Sequence, residues 1–134
     1  MKIKISFALL IIEANDLRVA LVRDHTMQLE FLSIEVNEKF HNNKSIDTLA
    51  NETVKKILGF DLQVKQFNTC GIYEKTIEII YYGTIPYQQI KDIDMDVFDT
   101  FWISVLREYP PRLKSQYKQA LTSLKQQYNF TPTY

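Results

Sequence analysis

The 134-residue chain carries 16 Lys plus Arg and 16 Asp plus Glu, so its formal net charge is zero, and 46% of its residues are hydrophobic. That length suits a single domain spanning residues 1–134 with a real core, and the balanced charge lacks the clustered positive excess of a broad nucleic-acid surface. Cys70 is the only cysteine, which excludes an internal disulfide and a cysteine-based zinc site and points to a reducing cytoplasm.

Residues 2–12 read as a strand that alternates at first, through Ile3, Ile5 and Phe7, then turns continuously apolar, as a strand buried on both faces would. The apolar run 7–12 is too short to span a membrane, and Glu13 and Asn15 follow with no small-residue cleavage pattern. Ala14-Asn15-Asp16 is a turn signal, and LRVALVR (17–23) completes a predicted β-hairpin. Residues 29–36 predict one further strand, with Phe31, Leu32 and Ile34 apolar, and the polar stretch 37–44 predicts a loop.

Residues 45–60, SIDTLANETVKKILGF, predict a capped helix. Ser45 can cap the N-terminus, and Asp47 lies in the first turn, where negative charge is favoured. Ile46, Leu49, Ala50, Val54, Ile57 and Leu58 recur at helical spacing, and Gly59 follows the last turn, where a left-handed residue ends a helix. Residues 62–73 and 76–84 are β-rich runs joined near Glu74-Lys75. Residues 86–98 form a long acidic connection with room for a short helical turn, and TFWISV (100–105) is another short strand. After Pro110-Pro111 a last helix is predicted, with Leu113, Tyr117, Ala120, Leu121, Leu124 and Tyr128 on one face. Strands, helix, strands, helix in this order predict an α/β (α+β) domain, a mixed sheet with helices on its faces.

Few residues carry an obvious chemistry. Asp92, Asp94 and Asp96 have the spacing that starts a calcium loop, but Val97 replaces its glycine and Ile103 its closing Glu, so a solvated acidic loop that also takes in Asp99 is the reading. His25 and His41 lie in loop-like segments with nothing around them to support a Cys-His pair with Cys70. The three glycines, Gly59, Gly71 and Gly83, are too scattered for a phosphate-cradling loop. Tyr73, Tyr81, Tyr82, Tyr87, Phe101 and Trp102 can form a stacking platform for a base, although strand aromatics usually pack in cores. Arg18 and Arg23 on the early hairpin can reach a ligand phosphate, against a default of surface solvation.

The order of elements, with several joints, resembles the Nudix hydrolase superfamily, whose signature is G-x5-E-x7-R-E-U-x-E-E-x-G-U with U a bulky aliphatic residue. Anchored on Gly59-Phe60, Val54 takes the U position, while Glu52 stands for the Arg, Thr53 for the first helix Glu, Lys56 and Ile57 for the Glu pair, and Lys44 for the upstream Glu. Outside that box, residues 66–86 are similar to the strands after the Nudix helix, and FWISVLREYPP (101–111) to the family's Trp-containing strand and Leu-x-x-Pro-like joint. The resemblance implies a Nudix-like α-β-α sandwich. Its subgroup in feel is the effector-binding domain of Nudix-related transcriptional regulators, without the winged helix.

Nudix enzymes hydrolyse nucleoside diphosphates with divalent cations held by clustered Glu side chains. Positions 53, 56 and 57 share one helix face, and here that face carries a hydroxyl, an ammonium and an aliphatic group. The expectation is a degenerate domain that binds a nucleotide or ADP-ribose-type ligand, or a protein partner, without turnover and with no catalytic residue or resident metal. Arg18, Arg23, Glu52, Thr53, Lys56 and Tyr81 are the candidate ligand-binding residues, with Lys55 or Lys56 able to offset phosphate charge. One alternative is an active hydrolase with a displaced magnesium site drawing on Glu35, Glu38, Asp47 or Glu52. Another is a structural or interaction module whose final helix and aromatic strands build a homodimer face.

Overall fold

The computed structural model describes residues 2–13, 16–36, 45–73, 75–92, 100–104, 109–110 and 112–127. Strand β1 (Lys2–Glu13) lies at the centre of the sheet. It pairs in parallel with β6 (Thr76–Thr84) along one edge. Its other edge is shared: Ile3 to Phe7 pair with β4 (Leu32–Val36), and Leu10 to Glu13 pair with β2 (Asp16–Arg23). β5 (Lys65–Tyr73) lies antiparallel outside β6, while β3 (Leu29–Glu30) and β7 (Thr100–Ser104) both pair with β2. The result is a seven-stranded mixed sheet among the described residues.

The predicted strand over 29–36 is therefore two strands. Leu29 and Glu30 pair with β2, Leu32 to Val36 pair with β1, and Phe31 sits between them, fully buried. A β-rich run signals extended backbone but not a change of partner, so composition alone could not divide it. The predicted run 62–73 enters the sheet only at Lys65.

Residues 5–11 of β1 are all buried, which accounts for the apolar run in the sequence. Alternate side chains point to opposite faces. Ile5, Phe7, Leu9 and Ile11 enter one core cluster with Ile79, Tyr81 and helix α1 (Ile46–Leu58). Ala8 and Leu10 enter a second cluster with Leu17, Val19, Ile80 and helix α2 (Ser115–Gln127). Each helix thus covers its own face of the sheet, an α-β-α sandwich. Among the described residues, no helix is long and apolar enough to cross a membrane.

Helix α1 forms where the sequence places it. Ser45 is extended, and its Oγ accepts from the Thr48 N–H at 3.1 Å. Gly59 takes φ 83°, and its N–H donates to the Lys55 carbonyl at 2.8 Å. Leu49, Ala50, Val54 and Leu58 are buried on the sheet, and each large side chain among them contributes about 1.5–3 kcal/mol through burial. Asn51 ties the helix to the chain beyond it, accepting from Val64 N–H at 2.8 Å and donating to the Val64 carbonyl at 3.3 Å.

The acidic connection after β6 begins with a 3-10 helix, Tyr87–Asp92. The Asp94, Asp96 and Asp99 part of the predicted acidic loop lies outside the described residues, as do the loop 37–44 with His41 and Glu38, and Tyr128. The side chains of Cys70, Tyr73, Asp92, Phe101 and Trp102 are likewise outside the description.

Candidate functional site

Polar residues on the α2 face of the sheet open a cavity. Along β1, the inward positions facing α2 change from Leu10 and Ala8 to Ser6 and Lys4. Along β6 the same face changes from Ile80 to Glu78. A cavity of about 550 Å³ forms at this polar end, with Lys4, Asp24, Glu30, Glu35, Glu78 and Lys114 on its walls. Ser33, His25, Thr76 and Gln116 complete its polar lining. That volume is in the range of small-molecule sites.

Glu78 is the deepest charged group, 3% exposed. Ser6 Oγ and Tyr117 Oη both donate to its Oε2, the latter at 2.5 Å, and Gln116 Nε2 approaches Oε1 at 3.5 Å. A buried carboxylate is tolerated only with such partners. Burial pushes the Tyr117 hydroxyl well above the ordinary tyrosine value, and the neighbouring Glu78 charge adds to it.

Lys114, just before α2, bridges two of the cavity's other carboxylates, Glu30 and Asp24. Its Nζ donates to Glu30 Oε2 at 2.7 Å and lies 3.1 Å from Asp24 Oδ2. Burial alone would lower its pKa, but the hydrogen bonds to Glu30 and Asp24 more than offset this and hold it above 10.5. Asp24 organises the turn at the rim: its Oδ1 accepts from Thr26 N–H, Thr26 Oγ1 and Gln28 N–H. Those hydrogen bonds, first that of the Thr26 hydroxyl, hold the Asp24 carboxyl well below its usual range. Lys4 Nζ donates to Tyr117 Oη at 3.4 Å and lies 3.7 Å from Glu78 and 3.9 Å from Glu30, and Lys4 is the register partner of both Glu35 on β4 and Glu78 on β6.

No protein-family model and no curated protein sequence matches the chain. Solved structures do match. NrtR of Shewanella oneidensis, in a complex with a 27mer DNA, superposes with a TM-score of 0.73 at 14% identity over 94% of this chain and 61% of NrtR. The chain thus spans about three fifths of that protein's length. A mutT/nudix family protein from Listeria innocua matches with a TM-score of 0.69 at 12% identity over 96% of this chain and 97% of that one. The NUDIX domain of Shewanella oneidensis NrtR, cocrystallised with ADP ribose, matches with a TM-score of 0.62 at 14% identity over 95% of this chain and 88% of that one. The chain has a Nudix-like fold.

Helix α1 carries the segment whose sequence resembles the Nudix box. Thr53 and Ile57 are half-buried beside its packing face, and Glu52 and Lys56 are exposed. A hydroxyl, an ammonium and an aliphatic side chain at 53, 56 and 57 do not fit the oxygen-rich coordination that a divalent cation requires. Lys55 also faces solvent and lies 3.3 Å from Asp61.

The other predicted ligand residues are dispersed. Tyr81 is fully buried in the α1 core and its hydroxyl donates to Asp47 in the first turn of α1, so it anchors the helix and has no surface left for a ligand. This corrects its assignment to a stacking platform. Burial, with the Asp47 hydrogen bond, pushes its hydroxyl well above the ordinary value. Arg18 alternates with Leu17 and Val19, which face α2, and is therefore on the α1 side of β2. Its Nε lies 3.3 Å from Asp16. Arg23 is exposed at the end of β2, one residue before Asp24.

None of those six residues lines the cavity. Sequence reasoning missed Lys4, Asp24, Glu30, Glu78 and Lys114 as a group. A signal was present: Lys4 and Ser6 interrupt an otherwise apolar central strand, and Glu78 does the same in β6. Only the sheet register brings the two interruptions side by side.

Proposed function

We propose that this Nudix-like domain binds a nucleotide or ADP-ribose-type ligand in the cavity beside Glu78 and Lys114, without Nudix-type hydrolysis. The observation that carries the reading is the division of labour between the two faces. Helix α1 keeps its caps and packing but presents Thr53, Lys56 and Ile57, while a 550 Å³ polar cavity is open on the α2 side. The cavity's carboxylates accept hydrogen bonds, so they suit ribose hydroxyls and base amino groups. They repel phosphate, so the phosphates point toward the mouth, and Arg23 at the end of β2 is the nearest of the predicted residues in sequence to the rim turn. The ADP ribose bound by the NUDIX domain of NrtR, a structural neighbour, supports the ligand class.

Isothermal titration of the full chain with ADP-ribose, NAD and nucleoside diphosphates tests the binding. A dissociation constant in the micromolar range, with no phosphate or nucleotide product released in the presence of magnesium, is the expected result. Absence of binding at millimolar ligand sinks the ligand reading, and product release abolished by Glu52→Gln favours the hydrolase instead.

A further inference from the structure

We draw no further inference here: the strongest candidate, the cluster of Glu30, Glu35 and Glu78 around Lys4 in the cavity beside α2, belongs to the site already described, and nothing besides the carboxylates themselves points to a further ligand.

Discussion

Tyr117 and Glu78 join the second helix to the sheet through a 2.5 Å hydrogen bond, in which the phenol donates to Glu78 Oε2. The two residues are 39 positions apart in sequence, and both are almost wholly shielded from water. The Tyr117 ring also packs on Phe31 with centroids 4.4 Å apart, so one side chain serves the apolar core and the polar cavity together.

Tyr117→Phe separates those two roles. The ring contact with Phe31 survives, and the donor to a buried carboxylate is lost. Hydrogen bonds to charged groups contribute about 1.5–3 kcal/mol, so urea denaturation is expected to show a loss of that size. An unchanged midpoint would mean that Ser6 and Lys4 satisfy Glu78 without the phenol.

Asn51→Ala removes the side chain that bridges α1 to Val64. The Val64 N–H then loses its 2.8 Å acceptor in a partly buried place. The expected destabilisation is about 1–3 kcal/mol, and amide exchange at Val64 is expected to accelerate. Exchange at the unmodified rate would show that the bridge contributes nothing in solution.

Gly83→Ala tests the close approach of β6 to the chain after α1. An added Cβ would lie 2.9 Å from Val64 Cγ1 and 3.2 Å from the Gln63 carbonyl oxygen. The backbone oxygen cannot rotate away, so overpacking of about 1–3 kcal/mol is expected, read as a lower Tm. A neutral result would show that residues 62–64 move freely.

The pH dependence of stability has two signs. Tyr81, Tyr117 and Lys114 all titrate above their ordinary values of 10.0, 10.0 and 10.5 in the folded chain. Their contributions are fully present below those values and are lost as pH rises toward the folded ones. Asp24 is depressed below its ordinary 3.8, so its contribution is present above that value and is lost as pH falls. Stability is therefore expected to hold between these limits and to fall on both sides. Tyr81→Phe and Tyr117→Phe are expected to flatten the alkaline limb. If the double variant keeps the full alkaline slope, the two phenols are not its source.

By itself, the sequence determined the local elements and the side chains at positions 53, 56 and 57 of α1. Ser45, the apolar stripe and Gly59 specify α1 because capping, periodicity and left-handed backbone are properties of neighbours within a few residues. The seven-residue buried stretch of β1 was legible for the same reason, since burial on both faces needs apolar side chains at successive positions. Three identities, at Thr53, Lys56 and Ile57, argued against carboxylate-held metal without any fold.

Tertiary structure decided the rest. It divided residues 29–36 between two partners, because β1 changes neighbours partway along its edge. It turned Tyr81 from a candidate ligand contact into an anchor for Asp47. It also gathered Lys4, Glu30, Glu78 and Lys114 from four separate segments into one cavity. Charges distant in sequence interact only when register and packing bring them together and exclude water, and no local pattern encodes that meeting.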